Sequence, residues 1–448
     1  VGAFTGPVFR PGDDGYDAER SGFNLTVDHH PELIVGATGP DDVIAAVEYA
    51  AARGLAVAVL TTGHGPAVPA DGQVLVTTRR MSDVRVDPAA RTARVGGGVR
   101  WRQVLPETVP HGLAPLNGSS PNVGVVGYTL GGGVGPLGRS YGFAADRVRR
   151  VDLVTADGRL RQVTADGDPE LFWAVRGGKG NFGVVVGLEF DLVPVSRLYG
   201  GGLFFPAEAT ADVLHAYSRW LPAAPEEMSS SVLLVTFPPI PEVPEIFRGR
   251  YIAHLRLAFT GIAEEGERLV RPLREIGSQI LDTLGEMPYT EVGTIFNDPT
   301  EPARVYDSNI SLHTLDEGAV DTLLSLAGPD TGSPLLIEMR QLGGAYARPP
   351  AIPSAVGGRD AAYTLFAASI LEPGQEDAIR RAHEQLAEKM RPWATGGTVF
   401  NFSGVADATP ERVKLAFTPA DYARLAKAKA TYDPDNMFRV NFNIPPAL

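Results

Sequence analysis

Glycine is spread so unevenly along these 448 residues that the chain reads as two different kinds of structure. The densest runs fall at 112–142 and 177–187, with shorter clusters at Gly63-His64-Gly65 and Gly96-Gly97-Gly98. A residue without Cβ lets the main chain turn sharply or approach a ligand closely, so this half predicts short strands joined by ligand-approaching loops. From Gly200 the texture changes to longer amphipathic helices alternating with strands, interrupted by the rigid loop Pro238-Pro239-Ile240-Pro241-Glu242-Val243-Pro244. After about Gly396 it changes again, to a helix over 419–430 and a compact ending. The length exceeds what one hydrophobic core usually serves, so two domains are expected.

Local patterns fill in the first half. Glu32-Leu33-Ile34-Val35 reads as a strand, Asp41 or Asp42 after Pro40 begins a helix that runs to Ala52, and Leu55–Leu60 is the next strand. Val74–Thr77, Val84–Asp87 and Thr92–Val95 are further short strands, and 101–109 is a helix. Val151–Val154 and Leu160–Val163 flank Ala156-Asp157-Gly158 as a hairpin. Two segments, Gly133–Gly138 and Gly178–Gly183, match G-x-G-x-x-G. A dinucleotide fingerprint needs a strand before it and a helix opening on it. Pro136 interrupts the first and Val184-Val185-Val186 follows the second, so a Rossmann site is disfavoured. Lys179 is not followed by Ser or Thr, which disfavours a P-loop.

Formal charge is −13, from 40 basic and 53 acidic residues, and it is dispersed. That argues against nucleic acid or an anionic membrane as partner, and Arg147-Val148-Arg149-Arg150 reads as a solvated strand edge. With no cysteine, disulfides, thiolate nucleophiles and thiolate metal sites are excluded. The 8 histidines show no metal-binding helical pair, and His29-His30 reads as an exposed loop pair. No metal is expected. No apolar run reaches the ~18 residues of a membrane span. No basic segment with an apolar core opens the chain, which predicts a cytoplasmic location, with a leader ahead of Val1 left open.

Thr61-Thr62-Gly63-His64-Gly65 follows the apolar run 55–60 and projects one imidazole from a small-residue loop. Two further segments accompany it. One is Gly118-Ser119-Ser120-Pro121-Asn122-Val123-Gly124 leading into Gly127-Tyr128-Thr129-Leu130-Gly131-Gly132-Gly133, continued by Leu171–Gly178 through Gly183. The other is Tyr432-Asp433-Pro434-Asp435-Asn436-Met437-Phe438-Arg439 with Asn441-Phe442-Asn443-Ile444-Pro445-Pro446. In order and spacing the three resemble flavoprotein oxidases of the vanillyl-alcohol oxidase and berberine-bridge-enzyme type. The resemblance implies an α+β fold. A two-subdomain PCMH-type FAD-binding domain would comprise 1–196 and 396–448, and an α/β substrate domain, 197–395, would lay an antiparallel sheet over the flavin. It implies FAD joined at its 8α-methyl to His64. Cofactor contacts would come from Thr61, Thr62, Gly63, Gly65, Gly118, Ser119, Ser120, Val123, Gly124, Gly127, Tyr128, Gly131, Gly132, Gly183, Val185, Asn441 and Asn443. Glycines at 124, 127, 131 and 132 would bring N–H donors onto the pyrophosphate. Doubly tethered relatives carry Cys where Ser120 stands, so no cysteinyl bond is possible and His64 would be the one tether. Many relatives carry Arg near Leu60, which is absent here. Val123 matches the position near flavin C4a, where a small residue resembles the oxygen-reactive members.

The implied reaction passes hydride from a C–H of a small alcohol, sugar or secondary-metabolite intermediate to flavin N5, and then electrons to O₂, giving H₂O₂. The expected partners are that small molecule and O₂, and the oligomeric state stays open. Two alternatives stand beside this reading: a dehydrogenase using another acceptor, and a flavin-binding protein without turnover. Both of the family's usual bases are missing, since Val399 stands at the tyrosine position of a Tyr-x-Asn segment and Thr364–Ala368 is apolar. On Leu335–Gly344 alternation puts Glu338 and Arg340 on one face and Met339 and Gln341 on the other. Glu338 is the leading base candidate and Gln341 the other residue expected to face substrate, against a solvent-facing Glu338–Arg340 pair. Tyr128 and Tyr141 are secondary candidates.

Overall fold

A computed structural model describes residues 4–447, arranged around three sheets. The first has the strand order Val8–Phe9, Leu33–Gly36, Val74–Thr77, Val57–Leu60, parallel except for its first pair. Leu33–Gly36 and Val74–Thr77 are buried along their whole length, which matches their sequences, apolar but for Thr77. The helix Pro40–Ala51 covers this sheet through Val43, Ala46 and Val47.

The second sheet is antiparallel, in the order Val84–Asp87, Thr92–Gly96, Val184–Asp191, Val148–Val154, Leu160–Val163. The Asp157-Gly158 hairpin forms as expected, with Gly158 at φ 72°. The basic cluster does not lie on an edge. Val148–Val154 runs inside the sheet, with Arg149 and Arg150 paired to Asp191 and Asp152. The C-terminal helix Pro419–Tyr432 and the tail return to this part of the molecule. Leu425, Ala428, Phe442 and Ile444 share one core with Val151, Leu153 and Phe172.

That return is locked by a buried knot. Lys429 and Asp433 have no exposed surface and pair at 2.5 Å, and the Lys429 ammonium also donates to the carbonyls of Asn181 (2.7 Å) and Phe438 (3.1 Å). The Asp433 carboxylate accepts from the main-chain N–H of Met437 (2.7 Å) and Phe438 (2.8 Å). The Asn181 side chain in turn bonds the Phe442 carbonyl and the Ile444 N–H. The tail is thereby stitched to the 178–183 loop.

The third sheet has eight strands and is antiparallel: Leu281–Asp282, Arg197–Pro206, Tyr251–Phe259, Met228–Thr236, Leu336–Gln341, Tyr363–Ile370 and Val305–Leu312, with Gly285–Pro288 also pairing on Arg197–Pro206. Its register puts Arg256 opposite Ser231, Ser231 opposite Arg340, Glu338 opposite Phe366 and Phe366 opposite Asn309. Because strand side chains alternate, one face carries Leu255, Val232, Ile337, Met339 and Leu365. The helices Thr210–Trp220, Ala263–Arg274, Glu317–Ala327 and Glu376–Met390 cover that face. The opposite, polar face looks toward the glycine-rich loops. No helix among the described residues is long and apolar enough to cross a membrane.

Candidate functional site

A cavity of about 380 Å³ runs between the glycine-rich loops and the polar face of the large sheet. Thr61, Thr62, Gly63, His64, Gly65, Gly118, Ser119, Ser120, Val123, Gly124, Gly127, Tyr128, Gly183, Val185 and Asn441 all line it.

The His64 loop leaves the strand Val57–Leu60 and is tied down immediately. Thr61 bonds Thr78 (2.6 Å), and the carbonyls of Thr62 and Gly63 accept from the N–H groups of Phe23 and Asn24, each at 2.9 Å. Gly63 sits at φ 70°, with the Gly22 Cα 2.5 Å from where a Cβ would be, so glycine is required on both counts. The imidazole stacks on Phe23, with centroids 4.0 Å apart. Burial, aided by the Arg100 charge, lowers its pKa to about 4. His64 is therefore neutral at physiological pH and keeps a lone pair for bonding.

Across the cavity Tyr128 packs edge-on against Trp101 and presses on Gly118, where a Cβ would stand 2.8 Å from its ring. Its hydroxyl is buried without a protein partner, and burial raises its pKa well above the usual phenol value. Ser119 bonds Asp298 at 2.6 Å.

Gly131, Gly132 and Asn443 do not line the cavity. The two glycines let the chain pass beside Asn401, whose Oδ1 accepts from the Gly133 N–H and whose Nδ2 donates to the Tyr128 carbonyl (2.8 Å). Asn401 itself lines the cavity. His29 is buried and lines the cavity, its Nδ1 accepting from the Ala70 N–H, rather than sitting in an exposed pair with His30.

The substrate-side candidates are rearranged. Glu338 and Arg340 do share a face and do pair, at 2.9 Å, but the pair is buried rather than solvated. Arg256 binds the same carboxylate at 3.2 Å, and the two guanidiniums hold the Glu338 pKa down at about 2 against burial. A carboxylate so stabilised is a poor proton acceptor, and it is Arg340, not Glu338, that reaches the cavity. Gln341 points the other way, accepting from Ser230 (3.1 Å) and donating to the Leu221 carbonyl (3.2 Å) toward the helix layer. Tyr141 lies off the cavity beneath Arg147.

Glu338→Gln would leave both guanidiniums buried and uncompensated, so a loss of about 3–5 kcal/mol is expected in chemical denaturation. The sign with pH is fixed by the lowered pKa. The stabilisation is complete above the ordinary glutamate value of 4.5 and is lost as pH falls through about 2. The variant should lack that acid limb.

The sequence reading did not single out Asp307, Phe366 or Phe402 as site residues, nor Lys179 except in weighing the P-loop, yet all four line the cavity. Asp307 shares one sheet face with Asn309, Ser311, Thr364 and Arg340 through the register of three strands, a grouping that the sequence alone does not display. Buried polar atoms without protein partners gather on this face: His254 Nε2, Asp307 Oδ1, Asn309 Nδ2, Ser311 Oγ, Arg340 Nε and Thr364 Oγ1. Such atoms are rare in folded proteins, and of these residues Asp307 and Arg340 line the cavity.

Comparison with known proteins agrees with this architecture. Residues 31–164 match the family profile "FAD binding domain" and residues 399–445 match "Berberine and berberine like". The chain is 31% identical to (R)-6-hydroxynicotine oxidase of Paenarthrobacter nicotinovorans, over 99% of this chain and 97% of that one. The crystal structure of 6-hydroxy-D-nicotine oxidase from Arthrobacter nicotinovorans superposes with a TM-score of 0.86 at 28% identity, covering 99% of each chain. A chitooligosaccharide oxidase shares the fold at 22% identity, with a TM-score of 0.84 over 99% of this chain and 98% of that one. Fold and cavity together define a flavoprotein oxidoreductase. The chain belongs to the vanillyl-alcohol oxidase/PCMH flavoprotein family, among its berberine-bridge-enzyme-like, FAD-linked members.

The residues present fit FAD. Nothing stands within 4 Å of where side chains would begin at Gly65 and Gly127, both on the cavity wall, so backbone is left bare there. The Asn441 Oδ1, also on the wall, is buried without a protein partner.

Proposed function

We propose that this protein is an oxidase whose FAD is attached through His64 and whose substrate is a small organic molecule. The observation that carries the reading is the His64 imidazole, stacked on Phe23 and held on the cavity wall by a loop pinned at the Thr62 and Gly63 carbonyls. FAD, when bound, would supply the hydride acceptor and the route by which two electrons reach O₂ as H₂O₂. The chain's own residues do the rest. The pinned loop fixes the tether, Val123 leaves a small wall residue, and Phe366 and Phe402, with ring centroids 5.6 Å apart, offer an apolar platform beside the Arg340 charge. That platform, together with the relative named for (R)-6-hydroxynicotine, supports a substrate with a flat apolar body.

A panel holding (R)-6-hydroxynicotine, simple aromatic alcohols, amines and oligosaccharides tests this. The expected result is anaerobic bleaching of the flavin by at least one compound, and one H₂O₂ per turnover in air. Bleaching without peroxide would make the protein a dehydrogenase. No bleaching across the panel would favour a flavin-binding protein without turnover.

A further inference from the structure

We propose that Asp307 is the proton acceptor of this site and that Lys179, across the same cavity, is the positioning charge that keeps it able to ionise. The proposal rests on the oxidase reading above.

Among the described residues, Asp307 is the one acidic side chain on the cavity wall. It stands on the outermost strand of the large sheet, opposite Ala368, and lies against Gly404, where a Cβ would overlap its Oδ1. That Oδ1 is buried and has no protein partner. The neighbouring carboxylates are already committed: Glu338 to two guanidiniums, Asp298 to Ser119, and Asp407 to Arg412 at 2.7 Å. Lys179 mirrors this state. Its ammonium lies over the rings of Phe442 (4.2 Å) and Phe400 (4.7 Å), and its backbone takes φ 52°, a left-handed conformation that a lysine adopts only when the surroundings demand it.

The electrostatics agree with this geometry. Burial, with the Asp407 charge behind it, pushes the Asp307 carboxyl up to about 7, against the pull of Lys179 and of the main-chain N–H groups of Asp307 and Val405. Burial draws the Lys179 ammonium down to about 8. Arg340 lines the same cavity from two strands away, and Arg412 offsets part of the Asp407 charge. A carboxyl that titrates near the working pH suits a general base.

In the reaction, the substrate O–H or N–H bond breaks and its proton goes to Asp307 Oδ1. The freed pair forms the C=O or C=N bond as the adjacent C–H is lost as hydride, to the acceptor that bound FAD would supply. Asp307 then returns its proton to solvent.

Two variants of the holoprotein test this. Asp307→Asn should keep its flavin while flavin reduction by the bleaching panel compound falls about 10²–10⁴-fold. It should also melt at a higher temperature than wild type, by a margin that widens between pH 5 and pH 8. A carboxyl with a raised folded pKa costs stability as pH rises from its ordinary value through about 7, and asparagine removes that cost. Lys179→Met should move the acid limb of kcat/KM to higher pH. An Asp307→Asn protein that reduces its flavin at the wild-type rate, or whose melting margin is flat with pH, overturns the acceptor role alone. A wild type that no panel compound bleaches overturns the oxidase reading, and the acceptor role falls with it.

Discussion

Replacing His64 with alanine should abolish acid-stable flavin. Wild-type protein precipitated with acid should stay yellow and carry an intact-mass increment of one FAD, whereas the variant pellet should be colourless. The effect is all-or-none because the chain has no cysteine, so a second covalent link through a thiolate is unavailable. The variant should nevertheless fold. The loop is held by Phe23, Asn24 and Thr78, and what the imidazole takes with it is the stacking contact on Phe23 and its bond to the Asn122 main chain. FAD should therefore bind the variant reversibly, with occupancy that depends on added cofactor. Retained yellow colour in the denatured variant would dismiss His64 as the point of attachment.

Asp433→Ala should be among the most damaging single substitutions in the molecule. It strands a fully buried ammonium, and it frees the N–H groups of Met437 and Phe438. Removing one member of such a pair costs about 3–5 kcal/mol, and each orphaned donor adds about 1–3 kcal/mol. Lys429→Met should cost less, because the Asp433 carboxylate keeps its two main-chain donors. The double variant should be far from additive, since the partners share one network. Denaturant midpoints for the three proteins check the ordering. Equal losses from the two single variants would show that the main-chain donors contribute little.

Much of this fold is legible in the sequence wherever a signal is local. The strands at 33–36, 57–60 and 74–77 are apolar but for Thr77, and the hairpin at Asp157-Gly158 follows from turn chemistry. Alternation correctly places Glu338 and Arg340 on one side of their strand. It does not say whether that side meets water or another part of the chain, and this difference turns a base candidate into a clamped anion. Gly131 and Gly132 sit in the right segment, yet they act through Asn401, whose partners lie some 270 residues away in sequence. Asp307 goes unnoticed because Val305-Tyr306-Asp307-Ser308-Asn309 mixes polar and apolar residues without a clear period, and only the sheet register shows which of them share a face. Sequence pattern resolves neighbours along the chain. Burial by distant segments sets the charge states, and it is decided in three dimensions.

The knot that joins the tail to the 178–183 loop has a consequence for biosynthesis. Asn441 and Phe442 form part of the cavity wall, and they are held there only once Lys429, Asp433 and Asn181 have met. Translation runs from the N-terminus, so the His64 loop has emerged from the ribosome long before those residues exist. Through most of synthesis the growing polypeptide carries the His64 loop but lacks Asn441 and Phe442. A chain stopped anywhere before 441 lacks that part of the wall, and it should retain less FAD than the protein that carries it.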